Sequence, residues 1–253
     1  MNSYRRNFIK TSLIGAGLLA CDFLSSCKDS LIIDNGTDFL KTILKEGDVI
    51  LFQGDSITDG RREAKNKNPN DIIALGSGFV ALAAKQLLNT YSEKKLKIYN
   101  RGLSGNRLPD LQKRWKEDTI EIRPNILSIL IGVNDFWRTV DQGAKTTVED
   151  YRSQYRKLME QTLSELPNIK TIICEPFAFK GVGYVSNAWY PNFLEYQQVT
   201  LSIAKEFNSI YIPFQKMFDN ENKPSTYWTS DGIHPNTVGN EFLASVWMDA
   251  IQY

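Results

Sequence analysis

The chain of 253 residues has one histidine, His234, and three cysteines, Cys21, Cys27 and Cys174. That inventory is too small for the paired Cys and His spacings of zinc sites, so no metal is expected, and any chemistry needing an imidazole must use His234. Charge of one sign is lacking too: Lys and Arg number 30 against 29 Asp and Glu, a formal net charge of +1. With no basic surplus to neutralise a run of phosphates, nucleic acid is not an expected partner. Nor is there a long apolar run. The stretch from Ser12 to Ala20 falls short of the roughly 20 residues that a membrane-spanning helix needs. What is present is 42% apolar side chains, enough for a sizeable core in one large domain without a disulfide or metal.

The short apolar stretch follows a cationic segment, Tyr4-Arg5-Arg6-Asn7-Phe8-Ile9-Lys10, which is the layout of an export signal. The paired arginines resemble the twin-arginine type. An ordinary surface helix is disfavoured because the segment has no polar face for water. Leu24-Ser25-Ser26-Cys27 resembles a bacterial lipobox, with Leu18-Leu19-Ala20-Cys21 as a competing site. The expected organisation is a signal peptide over residues 1–26, a tether and lead-in over 27–46 and a folded domain over 47–253. The expected location is the cell envelope, periplasm or outer membrane, with membrane attachment only through lipid on Cys27. Removing residues 1–26 takes away Arg5, Arg6, Lys10 and Asp22 and turns the net charge to −1. Cys174 is then the one cysteine beside the lipidated residue, so no intrachain disulfide is expected.

From residue 48 onward, short β-branched runs alternate with longer helical patterns, the signature of a doubly wound parallel sheet. The expected strands are Asp48–Gln53, Leu96–Asn100, Ile126–Ile131, Lys170–Glu175 and Ser209–Pro213. Helical spacing of apolar residues marks Gly78–Tyr91, Thr147–Leu166, Pro191–Phe207 and Thr237–Ile251. The second carries Val148, Tyr151, Tyr155, Leu158 and Thr162 on one face and starts at Thr147 with Asp150 three residues on, a capping pattern. The last carries Val238, Phe242, Val246 and Ala250 at successive fours.

In an open parallel sheet, ligands bind beyond the carboxyl ends of the strands. Four polar blocks fall at or beyond such ends. They are Gly54-Asp55-Ser56, Asn100-Arg101-Gly102-Leu103-Ser104-Gly105, Gly132-Val133-Asn134-Asp135 and Asp231-Gly232-Ile233-His234. Singly each is ordinary turn chemistry: Asn134 could cap a turn, Gly105 could supply a positive φ, and Asp55 reads as a turn-stabilising acceptor. Together, the order Ser, Asp, His is that of a serine hydrolase in which histidine takes the serine proton and aspartate orients the imidazole. Thr58 stands where the second glycine of a Gly-x-Ser-x-Gly elbow would be, which disfavours an ordinary α/β-hydrolase.

The four blocks resemble those of the SGNH, or GDSL-type, hydrolase family over roughly residues 48 to 247. The resemblance implies a three-layer α/β/α sandwich, flavodoxin-like with five parallel strands. It makes Ser56 the nucleophile, His234 the base and Asp231 its partner. The oxyanion hole is then the backbone N–H of Ser56, the backbone N–H of Gly105 and the side-chain amide of Asn134, and no cofactor is needed. Two departures stand out: Ile57 replaces the leucine of the family's short name, and Gly102 adds a second glycine that competes with Gly105 for the donor role.

Gly76-Ser77-Gly78-Phe79-Val80-Ala81 spells a dinucleotide fingerprint, but the run before it is only four residues long and no ribose-binding carboxylate ends the next strand. A loop entering a helix suffices. The segment Arg61–Asp71 is polar throughout, the opposite of the apolar lid that a long acyl chain would require. Aromatic residues in Phe177–Tyr184 and at Trp189 and Tyr190 could stack on sugar rings or pack helix against sheet. Trp189 and Tyr190 are the expected substrate contacts, and the expected reaction is removal of small acyl groups, acetyl first, from a carbohydrate. A lysophospholipase or thioesterase of the same family is the enzymatic alternative. A non-catalytic glycan-binding lipoprotein is the alternative from another class, and the intact Ser56, Asp231 and His234 argue against it. The oligomeric state stays open.

Overall fold

The computed structural model describes residues 44–252. The export signal, both candidate lipid-bearing cysteines and most of the tether lie outside the described residues. The elements run β1 (Val49–Gly54), α1 (Ser56–Asp59), α2 (Ile72–Leu75), α3 (Phe79–Thr90), β2 (Lys97–Asn100), α4 (Leu108–Trp115) and β3 (Ile126–Leu130). They continue through α5 (Val133–Asp141), α6 (Val148–Glu165), β4 (Lys170–Cys174), α7 (Asn192–Glu206), β5 (Ile210–Ile212), α8 (Phe214–Asn220) and α9 (Thr237–Gln252). The five strands form one parallel sheet in the order β2-β1-β3-β4-β5. All five strands expected from sequence are present, shifted or shortened by one or two residues at their ends, where hydrogen bonding fades.

Period-two alternation along β1 sorts its side chains between the two helical layers. Phe52 faces α3 and α9, with its ring centroid 4.6 Å from Trp247 and 6.0 Å from Phe79. Trp247 also donates its indole N–H to Ser128 of β3 at 2.9 Å, so a buried polar pair is satisfied within that layer. Gln53 faces the other side. Its amide donates to the Asp118 carbonyl and to Thr119 Oγ1, both at 2.8 Å, in the π-helical turn Lys116–Ile120 that follows α4. On that side Trp115 donates to Thr162 of α6 at 2.9 Å, and Tyr151 of α6 packs 4.9 Å from Tyr196 of α7.

Thr147 caps α6 as its spacing implies: its hydroxyl accepts from Asp150 N at 3.1 Å, and the Asp150 carboxylate accepts from Thr147 N at 2.8 Å. The pattern on α9 needs correction. Val238 is exposed, whereas Leu243, Trp247 and Ile251 are buried together with Val246 and Ala250. This helix touches α3, β5 and α8, so it buries more than one stripe. Cys174 is a free, fully buried thiol, and burial pushes its pKa to about 12, which keeps it protonated and inert.

Five helices were not legible: the single turns α1 and α2, and α4, α5 and α8. Each is short and starts just beyond a strand or a polar block, where sequence patterning reads as loop. The would-be strand of the dinucleotide fingerprint is the helical turn α2, so the nucleotide reading has no βα unit to rest on.

Candidate active site

In this strand order, β1 and β3 flank the point where the winding direction reverses, which opens a crevice at their carboxyl ends. Ser56 follows β1 and Asn134 follows β3. Asp55 N-caps α1, its Oδ1 accepting from Ile57 N at 3.0 Å, so the chain turns sharply and sets Ser56 at the first helical position.

Ser56 Oγ lies 2.8 Å from His234 Nε2, although 178 positions separate them. His234 Nδ1 lies 2.7 Å from Asp231 Oδ2. A carboxylate on the Nδ1 side holds the proton there and leaves the Nε2 lone pair for the serine hydroxyl. Burial pushes the Asp231 carboxyl up, but the His234 ring and the N–H groups of Ile233 and His234, at 2.9 and 2.8 Å, bring it below the ordinary carboxylate range. It is therefore an anion wherever the enzyme would work. Thr229, buried beneath, donates its hydroxyl to the His234 carbonyl at 2.8 Å and accepts from Gly232 N at 3.0 Å, closing the Asp-to-His turn on itself. Such an arrangement can deprotonate a serine hydroxyl as it attacks a carbonyl and later return the proton to a leaving alcohol.

Asn134 is buried on the first turn of α5. Gly132, just before it, has φ +132°, and a Cβ there would sit 2.6 Å from the Tyr151 hydroxyl. Only glycine lets β3 bend into α5 at that point. Asn134 Nδ2 donates to the Asn106 carbonyl at 3.3 Å, which joins the β3 loop to the β2 loop. Gly105 lies exposed in that loop with φ +78°. Gly102 has no free donor to offer: its N–H is taken by Asn100 Oδ1 at 2.9 Å and its carbonyl by Arg62 Nε at 2.7 Å.

The sequence profile of the GDSL-like lipase/acylhydrolase family matches residues 52–242. The chain belongs to that family. It is 34% identical over 212 residues to an acetylxylan esterase of Geobacillus stearothermophilus, covering 82% of this chain and 95% of that protein. A Parabacteroides merdae protein described as a GDSL-like lipase has a solved structure that superposes with a TM-score of 0.80 at 42% identity, covering 82% of this chain and 97% of the other. The structure of the Geobacillus esterase superposes with a TM-score of 0.75 at 30% identity, covering 84% and 97%. The protein is thus a GDSL-type hydrolase of carboxylic esters with the family's α/β fold.

Two residues singled out in the sequence as substrate contacts of this GDSL-type hydrolase are placed differently. Trp189 is 1% exposed and packs between Phe136, Trp137 and Phe193. The Tyr190 hydroxyl donates to the Ala178 carbonyl at 2.8 Å, and its ring packs edge-on against Phe193. Trp189 therefore fills the layer between α5 and α7, where an aromatic side chain gains more than from contact with water, while Tyr190 is half-buried against α7.

The supporting roles of Asn100 and Arg114 were missed. Asn100 donates to the Thr58 and Leu75 carbonyls at 2.7 and 2.9 Å and so ties the serine helix to the β2 loop. Arg114 on α4 reaches Asn106 Oδ1 at 2.8 Å, Asp118 Oδ2 at 3.2 Å and the Gly54 carbonyl at 3.4 Å, bracing both loops that frame the crevice. A signal for α4 was available: Pro109 in the first turn with Asp110 accepting from Arg107 N at 3.2 Å. Among the described residues, no three His, Cys, Asp or Glu side chains cluster as metal ligands.

Two carboxyls beside the site are fully buried. Asp55 and Asp135 each give one oxygen to a backbone N–H, of Ile57 and of Leu108 at 3.0 Å, and each leaves Oδ2 buried without a partner. Burial raises both to about 7, and the Asp135 charge adds to the effect on Asp55. The fold therefore retains protons that the unfolded chain releases from about pH 4 upward, so these groups make stability fall as pH rises from about 4 to 7, then level off. Asp55→Asn is expected to flatten that decline, by up to about 1.4 kcal/mol per pH unit for the group removed. Urea midpoints of wild type and variant from pH 4 to 8 check this. Parallel curves would exclude the buried carboxyl as the cause.

Proposed function

We propose that this hydrolase removes acetyl groups from the hydroxyls of a plant-type or cell-wall polysaccharide, with an acetylated xylan as the leading substrate. The observation that carries the reading is the likeness to the Geobacillus acetylxylan esterase over 95% of that protein. Structures of catalytic mutants of that esterase exist for a serine, an aspartate and a histidine, the last two three positions apart, which is the spacing of Asp231 and His234. The polar segment Arg61–Asp71 after the nucleophile block adds support, since it offers nothing to a long acyl chain.

In this reading Ser56 Oγ attacks the acetyl carbonyl while His234 Nε2 takes its proton. The oxyanion is held by the N–H of Ser56, the N–H of Gly105 and the amide of Asn134. His234 returns the proton to the sugar hydroxyl as it leaves, and water repeats the cycle on the acetyl-serine. Asp231 holds the ring and stabilises the imidazolium. The cationic segment at Arg5, Arg6 and Lys10 and the Leu24–Cys27 sequence support export and tethering in the cell envelope through lipid on Cys27, where a polymeric substrate is within reach.

The test is acetate release from acetylated xylooligosaccharide, set beside p-nitrophenyl acetate and p-nitrophenyl palmitate. Faster turnover of acetyl than of palmitoyl ester, with acetate released from the sugar, is the expected result. Preference for the palmitoyl ester, or no acetate from any acetylated glycan, would overturn the assignment.

A further inference from the structure

The buried position of Trp189 raises the question of which aromatic surface meets the carbohydrate. Tyr184 is 60% exposed on a short, tightly held loop. Its backbone N–H donates to the Asp231 carbonyl at 2.8 Å, and the same loop is pinned by Gly181 N to the Val185 carbonyl at 2.8 Å. Gly183 approaches so closely that a Cβ there would lie 2.3 Å from the Asp231 carbonyl oxygen. Tyr184 is thus a rigid neighbour of the Asp-to-His turn.

Its ring rests on Trp137 with a centroid separation of 5.2 Å and an interplanar angle of 36°. Trp137 is half-buried, sits on α5 one helical turn beyond Asn134, and is backed by Trp189 at 6.1 Å. The Arg138 guanidinium lies 4.8 Å over the Trp137 ring and is held by Asp141 at 2.6 Å. The three rings therefore step outward, with Trp189 sealed, Trp137 partly covered and Tyr184 open to solvent. The two outer rings come from the loop that is bonded to Asp231 and from the helix that carries Asn134, so together they form one aromatic surface next to the elements that position the site.

We infer that Tyr184, backed by Trp137, is a stacking subsite for a pyranose ring adjoining the one that bears the acetyl group. This rests on the carbohydrate reading above and names the surface that would deliver it. A sugar ring presents a face of C–H bonds that packs on an aromatic face, while its hydroxyls stay in water. A pre-ordered ring loses little entropy on binding. A substrate lacking a neighbouring sugar cannot use this surface.

The test compares kcat/KM for acetylated xylotriose with kcat/KM for p-nitrophenyl acetate, in wild type, Tyr184→Ala and Tyr184→Phe. Tyr184→Ala is expected to lower the ratio about three- to tenfold, mainly through KM for the oligosaccharide, as the loss of one stacking contact implies. Tyr184→Phe is expected to restore the ratio, because the ring and not the hydroxyl makes the contact. A ratio within twofold of wild type in Tyr184→Ala, or a loss in Tyr184→Phe equal to that in the alanine variant, would overturn the subsite alone. A wild-type enzyme that cleaves p-nitrophenyl acetate but no acetylated sugar would overturn the carbohydrate reading and the subsite with it.

Discussion

Ser56→Ala is expected to lower kcat/KM on p-nitrophenyl acetate by about 10⁴-fold or more, with residual catalysis from the oxyanion donors and from binding alone. The hydroxyl is the one atom that would form the acyl-enzyme, and its neighbour His234 Nε2 at 2.8 Å has no other oxygen to activate in that position. The fold should hardly notice. The hydroxyl sits at the rim, where the imidazole partner can turn to water once Oγ is removed, so the thermal midpoint should stay within about two degrees. Fluorophosphonate should label the wild type once per chain and the variant not at all. Retention of more than about 1% of the activity, or labelling at another residue, would sink Ser56 as the nucleophile.

Asn134→Ala is expected to reduce kcat by about 10²–10³-fold, equivalent to roughly 3–4 kcal/mol of transition-state stabilisation, with little change in KM. The reason is differential. A ground-state ester carbonyl accepts weakly, whereas the tetrahedral oxyanion carries a full charge, so an amide aimed at that place acts mostly on the barrier. Only one Asn134 hydrogen is directed to Asn106, and at 3.3 Å that bond is long, which leaves the other for the substrate. Asn134→Asp keeps the shape, donates nothing and adds a negative charge, so it should be at least as damaging. If instead kcat held within threefold and stability fell, Asn134 would be a loop tie between β2 and β3 and no more.

The alternation of β-branched runs with helical spacing is enough for a parallel sheet, since strands buried on both faces must be largely apolar, as β1 and β3 are apart from the hydrogen-bonded Gln53 and Ser128. Four polar blocks beyond those strands had one plausible meeting place, the strand ends, and a chain with one imidazole left no choice of base. Asp55 was legible as a turn acceptor for the same local reason: its carboxylate caps an N–H two residues away.

What local patterning could not carry were the short helices α4, α5 and α8 and the arginine that links loops across the crevice. A helix of seven to nine residues embedded in polar blocks shows too few turns for periodicity to emerge. Arg114 has the same composition as any helix-surface cation until its contacts to Asn106 and Gly54 are known.

The scarcity of histidine and the order of Ser56, Asn134, Asp231 and His234 were determined by the sequence alone, because they depend only on which residue types exist and in what order. Burial and through-space proximity decided the rest. They assigned Gly102 to a tie and left Gly105 open, sealed Trp189 while exposing Tyr184, and raised Asp55 and Asp135 above the ordinary carboxylate range. A side chain's solvent exposure and its dielectric surroundings are properties of the packed layers around it, set by residues far away in the chain.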